Sequence, residues 1–123
     1  MRILLADDDP QVCSALRLIL EQDPLTSCIA EVESTAQLLA CAALSEADLV
    51  LLDWYLPGLQ QPAHVFAYLR KNSPELKVVA MGAGSQSRQI ALALGADAYI
   101  SKSDPPEELL KAVNLCRSNK DQV

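Results

Sequence analysis

Short apolar runs of strand length alternate along the chain with longer segments in which apolar residues recur every three or four positions. The alternation occurs five times, and it is typical of a parallel sheet covered by helices. The most strand-like segment, residues 48–52, has a continuously apolar core at residues 49–52 instead of an alternating one. Such a core favours a central strand that is buried on both faces. The predicted fold class is therefore α/β, with five strands and five helices.

The pattern predicts the bounds of the strands and helices and the buried faces of three of the helices. The five predicted strands are residues 2–6, 27–32, 48–52, 77–81 and 98–100. The helices are predicted to begin after Asp9, after Ser34 or Thr35, at Pro62, at Ser87 and at Pro106. Pro10 after Asp9 suits a capped first turn, and Gly95 suits a left-handed helix end. The buried faces are predicted from Val12, Ala15, Leu16, Ile19 and Leu20 in the first helix, Leu38, Leu39 and Ala42 in the second, and Leu109, Leu110, Val113 and Cys116 in the last.

Length, charge and composition limit the classes of protein to which the chain can belong. The chain has 123 residues, of which we assign residues 1–119 to one domain and residues 120–123 to a tail or the start of a linker. A formal charge of −6 argues against direct contact with nucleic-acid phosphates. No apolar run approaches the roughly 18 residues of a membrane span, and no signal peptide is apparent, so a cytoplasmic protein is expected. The four cysteines form no C-x-x-C pair and are expected to be reduced thiols.

Charged residues follow three of the predicted strands at the point where each strand ends. Asp7 and Asp8 follow the first strand, Asp53 the third and Lys102 the fifth. Ligands of parallel sheets collect beyond the carboxyl ends of the strands, so these side chains share one site if the first and third strands are neighbours. Three crowded carboxylates require a cation, and Mg²⁺ leaves coordination free for a phosphate oxygen. Lys102 supplies a further positive charge for a phosphoryl group.

Two other polar residues are interpreted as structural. Asp9 is predicted to cap the first helix, and His64 to lie on the surface of the third helix, because no acidic partner or glycine-rich segment accompanies it. A single Asp or Lys at a strand end is itself more often a cap or a solvated side chain. The prediction of a site therefore rests on the four charged residues together.

Three segments carry a distinctive combination of these residues. They are residues 3–10 (ILLADDDP), residues 48–58 (DLVLLDWYLPG) and residues 95–102 (GADAYISK). Together they resemble the first strand with its acidic pair, the phosphorylation segment and the closing strand with its lysine in response regulator receiver domains of two-component signalling. The resemblance covers essentially the whole chain in order. It implies a doubly wound, flavodoxin-like (βα)5 fold with strand order 2-1-3-4-5.

The resemblance also implies a role for each candidate residue. Asp53 would accept a phosphoryl group from a histidine kinase, a phosphotransfer protein or a small phosphodonor. Asp8, Asp53 and the backbone carbonyl of Tyr55 would bind Mg²⁺, with Asp7 acting through water, and Lys102 would contact the phosphoryl oxygens. Positioning and charge neutralisation are what phosphoryl transfer needs. The chain would then be a phosphoryl acceptor and not an enzyme, beyond self-catalysed phosphorylation and dephosphorylation.

The end of the fourth strand departs from the family pattern. The resemblance gives the backbone of Ala83 a contact with the phosphoryl group, but Gly82 stands where the family has Ser or Thr. In the family that hydroxyl bonds the phosphoryl group and draws a loop inward. Tyr99 occupies the position of the family's aromatic switch, and its coupling to Asp53 is expected to be weak without the hydroxyl. A static, half-buried Tyr99 is the alternative.

Two interpretations of the function follow from Gly82. In the first, Asp53 is phosphorylated and the phosphoryl group has one hydrogen bond fewer, which costs roughly 1.5–3 kcal/mol. In the second, the domain no longer switches by phosphate and is a protein interaction module. The complete set of acidic residues with Lys102 favours the first. A haloacid-dehalogenase-type phosphatase is a remote alternative, suggested by Asp7-x-Asp9 after a strand, but the chain has no room for a cap domain.

Two further segments, residues 74–79 and 109–113, resemble receivers that are joined to helix-turn-helix transcription regulators. The predicted partners are accordingly a histidine kinase or phosphotransfer protein and an output domain. Nucleic acid would be bound by that output domain and not by this one. A homodimer is compatible with the sequence, either through an apolar face of the first or fifth helix or through the face built on the fourth helix, fifth strand and fifth helix.

Overall fold

The computed structural model describes the backbone of residues 1–121 and the side chains of residues 1–117. In this part of the chain one parallel sheet contains β1 (Arg2–Ala6), β2 (Ser27–Val32), β3 (Leu49–Asp53), β4 (Lys77–Gly82) and β5 (Ala98–Ser101). The helices are α1 (Pro10–Leu20), α2 (Thr35–Ala40), α3 (Pro62–Asn72), α4 (Ser85–Ala93) and α5 (Pro106–Asp121). The strand order is β2-β1-β3-β4-β5, which confirms the predicted doubly wound α/β fold.

Alternate residues of the central strands face two separate cores. Ile3, Leu5 and Leu51 pack with α1 and α5, whereas Leu4, Val50 and Leu52 pack with α2, α3 and α4. All six are fully buried. Because both faces of β1 and β3 are covered, residues 3–6 of β1 and 49–52 of β3 are all apolar, and the next polar residues, Asp7 and Asp53, lie at the rim of the sheet.

Two predicted core positions are wrong. Ala42 lies in a separate 3-10 segment, Ala42–Glu46, because the chain becomes extended at Cys41 and α2 ends at Ala40. Ala15 is exposed on α1, where the buried row is Cys13, Leu16 and Leu20. Residues spaced by three and four positions share a helix face. The buried face of α1 is therefore turned toward Cys13 and away from Ala15, compared with the predicted face. Val12, Ile19, Leu39 and Leu110 are half-buried.

The predicted caps at Asp9, Ser34 and Gly95 are confirmed, but α4 begins at Ser85, directly after its N-cap Gly84, and not at Ser87 as predicted. The Asp9 carboxylate accepts a hydrogen bond from the Gln11 amide at 2.9 Å, and the Ser34 hydroxyl accepts one from the Gln37 amide at 3.1 Å. Gly95 follows α4 with φ +109°, a backbone conformation that favours glycine. α5 continues to Asp121 and residues 122–123 lie outside the described residues, so the assignment of residues 120–123 to a tail or linker stays a prediction.

The cysteine side chains agree with the expectation of reduced thiols. All four cysteines are free thiols, and burial raises the pKa of Cys13, Cys28 and Cys116 to about 11. Thiols with such pKa values are largely protonated and unreactive near neutral pH.

Of the helices that the structure describes, none has the length and apolar character needed to cross a bilayer.

Asp97 lies directly before β5, and its side chain is hydrogen-bonded to the start of β4. Its Oδ2 accepts hydrogen bonds from the buried Val78 amide at 2.8 Å and from the Arg70 guanidinium at 3.1 Å. We expect Asp97→Ala to lower the free energy of unfolding by about 1–3 kcal/mol, because the Val78 amide loses its acceptor. Asp97→Asn, which keeps an acceptor oxygen, should cost less. Urea denaturation measures the free energy of unfolding of both variants. An equal loss in the two would contradict the role of Asp97 as the acceptor for the Val78 amide.

Candidate functional site

Three carboxylates converge at the carboxyl end of the sheet. β1 and β3 are hydrogen-bonded neighbours, so Asp7 and Asp8, which follow β1, lie beside Asp53, the last residue of β3. One oxygen of each lies within 4.8 Å of the others. Asp7 and Asp53 are 1% and 2% exposed, whereas Asp8 is open to solvent. The structure thus brings together the acidic residues that the sequence placed at two strand ends.

Lys102 is the cation of this cluster. Its Nζ lies 3.1 Å from Asp7 Oδ2 and 3.1 Å from Asp53 Oδ1. The backbone places it there, because the Lys102 amide donates to the Gly82 carbonyl at 2.9 Å and extends the pairing of β4 with β5. Burial lowers the pKa of Lys102, but the hydrogen bonds and charges of Asp7 and Asp53 outweigh burial and raise it overall. The ammonium group therefore remains charged.

The two oxygens of Asp53 have different surroundings. Oδ1 accepts a hydrogen bond from the Tyr55 amide at 3.0 Å as well as the contact with Lys102. The side chains and amides that the structure describes place no donor on Oδ2. Burial raises the pKa of Asp53, the Tyr55 and Lys102 contacts lower it, the Asp7 charge raises it, and the net direction is upward. One oxygen is therefore held in place and the other is available for chemistry.

The charges of the cluster do not balance. Three carboxylates and one ammonium group leave a formal charge of −2 within a few ångströms. Carboxylate oxygens that converge at such distances are the donors that hard divalent cations prefer. The residues present therefore fit a Mg²⁺ ion, which would offset the repulsion among the carboxylates.

The other predicted site residues line the end of β4. Gly82 is buried, and Ala83 is exposed just before α4. The Ala83 carbonyl accepts hydrogen bonds from the hydroxyls of Tyr55, at 3.4 Å, and Ser87, at 2.6 Å. Tyr99 points inward and is 8% exposed. The Tyr99 side chain is therefore buried and not half-buried, and its role as a switch stays a prediction.

The contacts of Ser87 and of the Tyr55 hydroxyl were not predicted from the sequence. Ser87 is 9% exposed and its Oγ lies 2.7 Å from the Tyr99 hydroxyl. A serine in the first turn of a helix is usually solvated or bonded to local backbone. The available signal was its position four residues after Ala83, which places it on the sheet side of α4. Asp9 and His64 lie outside the site, as a helix cap and an exposed residue of α3.

Comparison with known proteins identifies relatives across the whole domain. Residues 3–114 match the model of the response regulator receiver domain family. The chain is 30% identical over 114 residues to the nitrate/nitrite response regulator protein NarL of Escherichia coli, covering 91% of this chain and 52% of that protein. It is 32% identical over 124 residues to the DNA-binding response regulator MtrA of Mycolicibacterium smegmatis, covering 98% and 53%.

Solved structures give the same result. The crystal structure of a LuxR-family two-component response regulator from Aurantimonas sp. SI85-9A1 superimposes with a TM-score of 0.84 at 26% identity, covering 96% of this chain and 85% of that one. By contrast, this chain spans about half the length of the curated relatives that it matches.

Proposed function

The chain belongs to the response regulator receiver domain family, and we propose that it accepts a phosphoryl group on Asp53 in a Mg²⁺-dependent reaction. The observation that carries the proposal is the buried Asp53, held by Lys102 and the Tyr55 amide beside two further carboxylates. A structural ion pair would not need three carboxylates for one ammonium group. A site built for a cation and an incoming phosphoryl group does need them.

The structure suggests how these residues divide the reaction. The Asp53 oxygen without a donor, Oδ2, forms the new bond to phosphorus, while the bond from phosphorus to the donor's leaving atom breaks and its electron pair departs with the donor. Tyr55 and Lys102 keep the other oxygen in place and orient the carboxylate. Lys102 then neutralises charge on the phosphoryl oxygens, as does the backbone amide of Ala83.

Asp7, Asp8, Asp53 and the backbone carbonyl of Tyr55 are the residues that would hold Mg²⁺, with Asp7 acting through water. The ion supplies charge neutralisation for the incoming phosphoryl group. Gly82 offers no hydroxyl to that group. We expect a phosphoryl group that is held less firmly, by roughly 1.5–3 kcal/mol, than one with an additional hydrogen bond.

The proposed partners follow from the family. The phosphoryl donor would be a histidine kinase or a phosphotransfer protein. Because the relative MtrA is a DNA-binding response regulator, we propose that this domain controls an output domain that binds DNA. In this view the chain is a phosphoryl acceptor whose only catalysis is its own phosphorylation and dephosphorylation. The cytoplasmic location and a homodimer stay predictions.

Intact-mass spectrometry tests the proposal directly. The protein is incubated with Mg²⁺ and acetyl phosphate, with Asp53→Asn as the test variant and Asp9→Asn as the matched control, since Asp9 caps α1 outside the site. We expect one added phosphoryl group on the unsubstituted protein and on Asp9→Asn, and none on Asp53→Asn. Chelation of Mg²⁺ should also abolish the adduct. An adduct on Asp53→Asn, or none on any form, would overturn the proposal.

A further inference from the structure

Position 82 needs glycine because a side chain there would clash with its neighbours, and not because the backbone has an unusual conformation. Among the described residues only Gly58, Gly84 and Gly95 have a positive φ, so the backbone at position 82 suits any residue. A Cβ atom added there would lie 2.7 Å from the Tyr99 hydroxyl oxygen and 3.1 Å from Trp54 Cβ. The first distance is shorter than packed side chains tolerate. The Tyr99 hydroxyl therefore occupies the volume that a side chain at position 82 would fill.

The Tyr99 hydroxyl is also bonded in this position. Its oxygen lies 2.7 Å from Ser87 Oγ, and Ser87 Oγ lies 2.6 Å from the Ala83 carbonyl oxygen. A serine hydroxyl has one proton, and the carbonyl can only accept. The Gly84 carbonyl, at 3.2 Å, is a second acceptor for that proton. The Ser87 hydroxyl therefore donates to backbone carbonyls and accepts from the Tyr99 hydroxyl, which satisfies both buried groups. The guanidinium of Arg88 lies 6.0 Å from the centre of the Tyr99 ring and covers it.

We propose that Gly82 and Ser87 hold Tyr99 in its buried position whether or not Asp53 is phosphorylated, so that the surface formed by α4 and β5 has one conformation. The hydrogen bonds from Tyr99 through Ser87 to Ala83 fix the connection between β4 and α4 without a phosphoryl group. The proposed phosphoryl contacts are the Lys102 side chain and the Ala83 amide, whereas Gly82 and Ser87 act on Tyr99 through its hydroxyl. A partner that binds this surface would bind both forms of the protein equally.

This inference goes beyond the proposed function and does not depend on it. Phosphorylation of Asp53 would alter Lys102, which touches Asp53 directly, but would leave Tyr99 in place. Any signal from the phosphoryl group would then leave the domain by a route other than the Tyr99 side chain.

A double-mutant cycle tests the fit between Gly82 and the Tyr99 hydroxyl. Gly82→Ala introduces the Cβ atom, and Tyr99→Phe removes the oxygen 2.7 Å away while leaving ring carbon Cζ at 3.5 Å, an ordinary contact. The contact with Trp54 is the same in both backgrounds and cancels. We expect Gly82→Ala to lower the folding equilibrium constant about tenfold more with tyrosine than with phenylalanine at position 99. Equal effects in the two backgrounds would overturn the proposal.

Nuclear Overhauser effects measure the position of Tyr99 itself. We expect contacts between the Tyr99 ring protons and the Gly82 α protons in the protein without Mg²⁺, unchanged after addition of Mg²⁺ and beryllofluoride. Ser87→Ala should weaken them in both conditions. If they are absent before beryllofluoride is added, or change on its addition, Tyr99 is a phosphate-dependent switch and the proposal is wrong.

The same spectra separate this proposal from the proposed function. Beryllofluoride that shifts the Lys102 signals while Tyr99 stays in place supports both. Beryllofluoride that shifts neither contradicts the phosphate site, and a Tyr99 ring that is still in contact with Gly82 then supports the fixed surface alone.

Discussion

Lys102→Met is expected to lower the free energy of unfolding by about 3 kcal/mol at neutral pH without divalent cations. Asp7 and Asp53 have side chains that are 0% and 2% exposed, and Lys102 is their common partner. Removing one member of a buried ion pair typically costs about 3–5 kcal/mol, because the remaining charge has neither water nor a partner. The Lys102 side chain is itself 35% exposed, so the lower end of that range is expected.

Mg²⁺ should restore much of this loss, because it supplies the missing positive charge to the same carboxylates. Lys111→Met is the matched control, since Lys111 is 72% exposed and forms a surface ion pair with Glu108 at 3.4 Å. An exposed pair contributes about 0–1 kcal/mol. Urea denaturation followed by Trp54 fluorescence, with and without Mg²⁺, measures both variants. The interpretation fails if the two variants lose the same stability or if Mg²⁺ does not restore Lys102→Met.

The acidic cluster was predictable because strand order alone determines it. Once β1 and β3 are neighbours in a parallel sheet, their carboxyl ends coincide, and Asp7, Asp8 and Asp53 meet whatever the packing of the helices. Lys102 follows in the same way from the end of β5. The apolar runs that predict these strands are strong signals, since both sheet faces are covered.

The environment of Tyr99 was not predictable from the sequence because it depends on three elements at once. Gly82 ends β4, Ser87 lies in the first turn of α4 and Tyr99 lies in β5. The absence of a side chain at position 82 is visible in the sequence, but the group that fills its space is set by side-chain packing. The errors at Ala15 and Ala42 arise because alanine gives a weak signal: it marks neither which side of α1 is buried nor that α2 ends at Ala40.

Asp53→Asn is expected to stabilise the metal-free protein and to remove most of its stabilisation by Mg²⁺. Burial raises the pKa of Asp53, so the folded-state pKa lies above the unfolded-state value and the carboxylate charge opposes folding. This cost is fully present above the folded-state pKa and disappears as the pH falls through the unfolded-state value. The stability difference between the variant and the unsubstituted protein should therefore be largest at high pH and should close on acidification.

Mg²⁺ is expected to reverse which protein is the more stable, Asp53→Asn or the unsubstituted protein. An ion that binds only the folded state at a concentration 100-fold above its dissociation constant stabilises it by about 2.7 kcal/mol. With one charged ligand fewer, Asp53→Asn should gain less than about half of this, so the unsubstituted protein becomes the more stable. Urea titrations across the acidic and neutral range, with Asp9→Asn as control, measure both effects. A stability difference that widens on acidification, or equal stabilisation of both proteins by Mg²⁺, would show that Asp53 is not the buried metal ligand proposed here.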